Sequence, residues 1–448
     1  MTIDKMPDDV LFDIFRSDRI NESSWRWERL AHVCRRWRRI IFASPRSLHL
    51  RLVCNERLGT RVREYLDIWP PFLIAIQYFL DYSGVEDVIA AIDHPDRVCD
   101  IRLDMTTSLH FEKLATVMQQ PFPVLTHLEI RLWAYDAQVT PLVRFLGGSA
   151  PSLRDIELYR IPFPELPTLL LSTRDLVTLE LTEIPPTGYI STGEMVTGLA
   201  ELTRLNYLNV AFAKPTPRLK RDNSHPLIRT VLPALTCFYF GGGSDYLEDF
   251  VARIDCPRLN SLKIKYKHQV VDFQVSQLFE FFNRSEITRV TSFGWVGAYD
   301  FSARDLNFRL HHENGFKPMI WIIFKDASWH VSHLAQVFTQ FSPNLAYVRN
   351  LKINLQQFES RSDLGYNQCV QLLLPFTSLR TLWVSGICAF NDVAEAEGMT
   401  TRLLPALESL YLIDYPESYT AKIKTAFQLS GRFITIINSD SGPSSEPS

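Results

Sequence analysis

The chain has 448 residues, 46% of them hydrophobic and 22% charged, with a formal net charge of −3. This composition supports a large apolar core and excludes a wholly disordered chain, and the near balance of charge gives no global pull toward nucleic acid or anionic lipid. Seven cysteines stand singly without C-x-x-C spacing, as reduced thiols do, and no apolar run reaches the ~18 residues of a membrane span, so a soluble protein of the cytoplasm and/or nucleus is expected.

The first element is Met6-Pro7-Asp8-Asp9-Val10-Leu11-Phe12-Asp13-Ile14-Phe15. Pro sits where a helix needs no amide donor, acids sit at the positive helix end, and Val10, Leu11, Ile14 and Phe15 share a side. A second amphipathic stretch, Trp27 to Ile41, puts Trp27, Leu30, Ala31 and Cys34 on one stripe and Val33, Trp37, Ile40 and Ile41 on another, with Arg35, Arg36, Arg38 and Arg39 between them. Helices this short do not close a core alone, and no metal or disulfide pattern accompanies them, so a partner surface is implied.

The string Met-Pro-Asp-Asp-Val-Leu-x-x-Ile-Phe, followed by Val33-Cys34-Arg35-Arg36-Trp37-Arg38, resembles the F-box, the module that docks on the Skp-type adaptor of cullin-RING ubiquitin ligases. Met6 departs from the family's more usual Leu. The resemblance implies a three-helix module over residues 1–45. It also implies an adaptor-contacting set of Met6, Pro7, Val10, Leu11, Ile14, Phe15, Leu30, Val33, Cys34, Trp37, Ile40 and Ile41. Two blander readings stand beside it: an ordinary helical hairpin of the core, and a basic patch for nucleic acid. The interleaving of the arginines with apolar residues, near Asp8, Asp9, Asp13 and Glu28, favours a solvated face, so no nucleic-acid partner is expected.

From about residue 45 an apolar phrase with large residues at positions 1, 4 and 6 keeps returning. Clear copies are Val98-Ile101-Leu103, Leu125-Leu128-Ile130, Leu153-Ile156-Leu158, Leu176-Leu179-Leu181, Leu205-Leu208-Val210, Leu235-Phe238-Phe240 and Leu259-Leu262-Ile264. Later ones are Val348-Leu351-Ile353, Leu379-Leu382-Val384 and Leu407-Leu410-Leu412, with weaker copies at Leu73, Ile287 and Met319. The first seven clear copies start 23 to 30 residues apart, the period of a solenoid. Helix-period stretches lie between them, as at Leu114-Val117-Met118, Leu142-Val143-Phe145-Leu146, Leu247-Phe250-Val251 and Leu278-Phe279-Phe282. Pro123, Pro151, Pro233, Pro257 and Pro405 stop the incoming chain two places before a phrase. One such unit buries too little to offset its own ordering entropy, so the units must stack.

Phrase and period resemble the leucine-rich repeat, although Ile161, Ile184 and Ile387 stand where that family places Asn or Cys. An F-box followed by irregular leucine-rich repeats is similar to the F-box proteins abundant in fungi. The resulting fold class is α/β: a three-helix F-box over 1–45, an irregular solenoid over 46–430 with parallel strands on the inner face and helices outside, and a C-terminal segment over 431–448, disordered from about Asn438.

The residue between positions 4 and 6 of each phrase faces away from the helices. In order these are Arg102, Glu129, Glu157, Glu180, Asn209, Tyr239, Lys263, Thr291, Ile323, Lys352, Trp383 and Tyr411. Glu129, Glu157 and Glu180 form an acidic column with Arg102, Arg131 and Arg154 as counter-ions, and Tyr239, Trp383 and Tyr411 are aromatic candidates for holding a protein client. Gly241-Gly242-Gly243-Ser244-Asp245 lacks the ending of a phosphate loop and is expected to be a turn, while His330 and His333 lack metal-ligand company. No nucleophile elbow or zinc-protease motif occurs, so neither catalysis nor a cofactor is expected. Three functions remain open: the substrate-recognition subunit of a Skp-cullin-F-box ubiquitin ligase, an adaptor-bound scaffold or regulator that never forms an active ligase, and an enzyme with a site made of scattered residues.

Overall fold

The computed structural model describes residues 5–17, 27–43, 49–54, 62–69, 71–79, 84–134, 139–214, 229–267, 275–285, 293–298, 306–311, 318–324, 338–339, 345–354, 371–385, 404–413, 417–429 and 434–439. The chain is α/β with a mostly parallel sheet, and it divides into two units, Met1–Ile190 and Ser191–Ser448.

The first unit opens with α1 (Asp8–Ser17), a 3-10 turn at Trp27–His32 and α2 (Arg35–Phe42). The stretch read as one amphipathic design from Trp27 to Ile41 is therefore broken. Cys34 takes an extended conformation and caps α2, its Sγ accepting the Trp37 N–H at 3.4 Å. Six strands follow: β1 (His49–Val53), β2 (Leu73–Phe79), β3 (Val98–Met105), β4 (His127–Leu132), β5 (Asp155–Tyr159) and β6 (Thr178–Ile184). They are parallel and lie in sequence order. Between them run α3 (Val62–Ile68), α4 (Val85–Ile92), α5 (Ser108–Val117) and α6 (Leu166–Leu170). The helix expected around Leu142–Leu146 is reduced to a 3-10 turn at Phe145–Gly148. Arg144, Leu146, Gly147 and Gly148 there adopt positive φ, and a Cβ on Gly147 would lie 2.8 Å from the Pro121 nitrogen.

The second unit contains α7 (Thr192–Leu199), β7 (Tyr207–Phe212), β8 (Thr230–Val231), β9 (Cys237–Gly242), α8 (Ser244–Ala252), β10 (Ile254–Asp255), β11 (Ser261–Tyr266) and α9 (Ser276–Arg284). It continues with β12 (Phe293–Ala298), β13 (Leu306–His311), β14 (Pro318–Phe324), β15 (Asn350–Asn354), β16 (Thr381–Ser385), β17 (Ser409–Ile413), α10 (Glu417–Leu429) and β18 (Thr435–Ser439). Its main sheet runs β7-β9-β11-β14-β13-β12-β15-β16-β17-β18, and β8 and β10 form a separate parallel pair. The all-parallel expectation fails at β13, which is antiparallel to both β12 and β14. Leu306, Phe308 and Leu310 alternate with Asn307, Arg309 and His311 there, a hairpin-like period of two in place of the three-residue phrase. Gly241 and Gly242 are not a turn but the end of β9. Added Cβ atoms on them would lie 2.9 Å from Ala211 Cβ and 3.0 Å from the Phe240 ring, so glycine permits the close packing. Asn438 and Ser439, assigned to a disordered tail, pair with Leu412 and Ile413 in β18.

The apolar phrases end buried. Leu128 and Ile130, Ile156 and Leu158, Leu179 and Leu181, and Leu208 and Val210 are shielded from solvent, while the residues alternating with them are half-buried on the opposite, open face. The same local geometry recurs. The first leucine of a phrase donates its N–H to the carbonyl three residues back, as at Leu125 (3.3 Å), Leu153 (3.1 Å), Leu259 (3.2 Å) and Leu407 (3.1 Å). The following residue then donates to the preceding repeat: Thr126 to Cys99, Arg154 to Thr126 and Asn260 to Thr236. At the exits of β5 and β6, Arg160 and Glu183 take left-handed φ, and the next residues, Ile161 and Ile184, turn inward and are buried. The copy around Ile287 lies outside the described residues.

Candidate functional site

Two surfaces take shape from these elements, a helical head and the open face of the sheet. In the head, Leu11 and Phe15 of α1 and Ile40 and Ile41 of α2 are buried, along with Ala31. Phe15 lies against Trp37 with ring centroids 5.0 Å apart. Phe42 continues into an aromatic cluster with Trp69 and Phe72, at 5.7 and 6.3 Å, which seats the head on the first strand-helix unit. The twelve residues picked from sequence thus separate into two sets. Leu11, Phe15, Ile40 and Ile41 serve the head's own packing and offer no docking surface, a correction to the sequence reading. Val10 (42% exposed), Ile14 (46%) and Val33 (60%) keep about half of their surface open. Pro7 and Cys34 are exposed, and Met6, Leu30 and Trp37 are half-buried.

Arg36 fixes the relation of these parts. Its guanidinium donates to Asp8 Oδ1 (Nε at 2.8 Å, Nη2 at 2.6 Å) and to the Met6 carbonyl, bringing the start of α1 to the start of α2, beside Val33 and Cys34. Arg38 donates to the Ala31 carbonyl at 2.9 Å. Two of the four arginines, Arg36 and Arg38, are therefore tied within the head, while the side chains of Arg35, Arg38 and Arg39 stay exposed as on a solvated face.

On the open face of the first unit, parallel register brings Arg102, Glu129, Glu157 and Glu180 into one row. The acidic column exists, and its neutralisation is partly internal. Arg131, one register on, reaches Glu129 at 2.7 Å and Glu157 at 3.4 Å. Arg102 pairs with Asp100 at 3.2 Å. His127 lies 3.7 Å from Glu129 and 3.8 Å from Asp155. Burial alone would depress the His127 imidazole, but Glu129, Asp100 and Asp155 outweigh it and raise its pKa above 6.5. Glu129 is lowered in turn, chiefly by His127 and then by Arg131 and Arg102, against the effect of burial. Asp104 moves up, because its burial exceeds the pull of Arg131 and of a hydrogen bond with Trp133.

The open face of the second unit has the opposite character. Register aligns Asn209, Tyr239, Lys263 and Trp321, then Arg309, Trp295 and Lys352, and then Trp383 and Tyr411. Lys263 Nζ lies 3.9 Å from the centroid of the Trp321 ring and 5.6 Å from that of Tyr239, and the Arg309 guanidinium lies 4.2 Å from Trp321. Trp383 and Tyr411 stack at 5.2 Å with an interplanar angle of 17°. Burial first, then the charges of Lys265 and Arg309, lower the pKa of Lys263. The structure brings Tyr239, Trp383 and Tyr411 into this row but not Ile323, which is buried two positions away, beside Lys265. Trp321 and Arg309 were missed. The period-two alternation around Arg309 was the signal that could have found β13. Thr291 lies outside the described residues.

Among the described residues no group of His, Cys, Asp and Glu is arranged to hold a metal ion, and no helix is long and apolar enough to cross a membrane. His330 and His333 lie outside the described residues. No protein-family model matches the chain, and no curated protein matches it either.

Proposed function

We propose that the protein is the substrate-recognition subunit of a Skp-cullin-F-box type ubiquitin ligase. The helical head is an F-box that docks on a Skp-type adaptor, and the sheet is the face of an irregular leucine-rich-repeat solenoid that holds a protein client. The observation that carries this reading is the division of labour within the head. Leu11, Phe15, Ile40 and Ile41 hold the helices together while Val10, Ile14 and Val33, beside exposed Pro7 and Cys34, keep apolar surface open. Such residues gain most from a partner that covers them. In this arrangement the chain breaks no bond. It contributes proximity, placing a client near a ubiquitin-loaded enzyme recruited by other subunits.

The test is co-expression of the full chain with a Skp-type adaptor, a cullin and its RING subunit, followed by size-exclusion chromatography. A stoichiometric complex containing all four is the expected result. Migration of the chain apart from the adaptor overturns the reading, and a complex with adaptor but without cullin converts it to that of a scaffold.

A further inference from the structure

The two edge strands, β1 in the first unit and β18 in the second, are finished differently. On β1 the core-side residues Leu50 and Leu52 are buried, and Arg51 on the other side stands exposed, a charge of the kind that keeps foreign strands away. β18 has neither protection. In the core row Leu351, Leu382 and Leu410 are fully buried, yet Ile436, next in register, is only half-buried. α10 packs against β18 and buries Thr420, Ile423 and Phe427, so what Ile436 lacks is a neighbour in the sheet rather than a helix beneath it. On the open side Trp383 and Tyr411 are half-buried, while Ile437, which continues their row, is 37% exposed. The strand Thr-Ile-Ile-Asn-Ser carries no charge and no proline, and its register with β17 runs without a bulge. Thr435 donates its N–H to the Glu408 carbonyl on the β17 side at 3.0 Å, so by alternation the peptide groups of Ile436 point past the edge.

We propose that a second copy of the chain fills this edge, two β18 strands pairing antiparallel across a two-fold axis at Ile436. The occupant must bring an apolar residue to the core row, a β-branched residue beside Ile437, and no charge. β18 itself meets all three. With the axis at Ile436, the two Ile436 residues exchange N–H···O bonds and complete the core row. Thr435 of each copy then falls opposite Ile437 of the other, in a non-hydrogen-bonded pair whose side chains lie closest. Such a seam uses the same patch on both copies, as a two-fold dimer requires. The residues that follow β18 in sequence are a poor substitute, since Pro443 and Pro447 lack the amide donor that a ladder needs. A seam of five residues per copy is short, so the association belongs at the weak end of specific interfaces.

The inference does not rest on adaptor docking, and it is tested on the full chain without adaptor. Sedimentation velocity between about 1 and about 200 µM is expected to show a monomer-dimer equilibrium with a dissociation constant on the order of 10 µM. Ile437→Lys should weaken it at least about tenfold, and Ile437→Val, which keeps the β-branch, should stay within about threefold, with the melting temperature at the lowest concentration unchanged in both. In a Cys34→Ser background, chains carrying Thr435→Cys and chains carrying Ile437→Cys are mixed under mild oxidation. They should cross-link to each other, their Cα atoms lying ~4.5 Å apart, while neither variant cross-links alone. A parent chain that stays monomeric across the range, a dimer indifferent to Ile437→Lys, or a mixture that cross-links no more than the single variants overturns the proposal.

Discussion

Truncating the exposed apolar residues of the head should separate docking from folding. Full burial of a Val or Ile side chain is worth about 1.5–3 kcal/mol. Val10, Ile14 and Val33 retain 42%, 46% and 60% exposure, so a covering partner can gain about 1 kcal/mol from each, or about 3 kcal/mol together. The triple variant Val10→Ala, Ile14→Ala, Val33→Ala should therefore bind a Skp-type adaptor about a hundredfold more weakly. Its stability should hold, since alanine is the better helix former at positions 10 and 14 and no filled cavity is emptied. Leu11→Ala is the contrasting case: Leu11 is fully buried within the head, and its truncation should destabilise the packing by about 2–5 kcal/mol. Titration calorimetry reads affinity and differential scanning calorimetry reads stability for both variants. An affinity within about threefold of the parent, or a loss of stability in the triple variant as large as that of Leu11→Ala, refutes the reasoning.

Other outcomes follow from the same coordinates. Exposed Cys34 should be alkylated rapidly by iodoacetamide in the folded protein, while Cys54, whose thiol is pushed up to about 12 by burial and by Asp87, and buried Cys99 and Cys256 stay unmodified; excess adaptor should protect Cys34, as read by peptide mass spectrometry. Because the pKa of His127 is raised in the fold, its charge pairing stabilises below pH 6.5 and fades as pH rises through the folded value, so His127→Gln should cost more stability in urea melts at pH 5.5 than at pH 9; an equal cost at both removes the ionic account. Exposed Arg144 holds a left-handed conformation that costs a non-glycine residue about 1–2 kcal/mol, and Arg144→Asn should recover part of it as a higher urea midpoint; a lower midpoint contradicts this.

The strands were legible wherever three apolar residues of a phrase all became buried, from Val98 through Leu412, because that pattern encodes burial directly. The antiparallel pair β12 and β13 was not, since Leu306, Phe308 and Leu310 recur in steps of two in place of the phrase's spacing of three and then two, and the pairing of the two strands is set by a hairpin rather than by a crossover. The helix expected near Leu142 gave way because Arg144, Leu146 and the two glycines adopt positive φ, a tertiary constraint that periodicity does not carry. In the head the apolar residues were visible in sequence, but not which of them faces its own core. That assignment depends on how α1 meets α2, and Asp8 and Arg36 set it across a sequence gap no local pattern bridges. The acidic column was correctly aligned, yet its counter-ion geometry, Arg131 serving two glutamates, required the register to be known.

The hairpin also governs how the second unit can assemble. A stack in which every strand pairs with the next in sequence can zip one repeat at a time, each step closing only a short loop. Here β11 pairs with β14, so the chain between Tyr266 and Pro318 must be looped out before that edge can grow, and β15 finds its neighbour β12 only after the reversal is complete. Closing the longer loop is the slower event. Arg309 and Trp321 both lie on strands of that reversal, so the basic aromatic row is complete only once β14 has paired with β11.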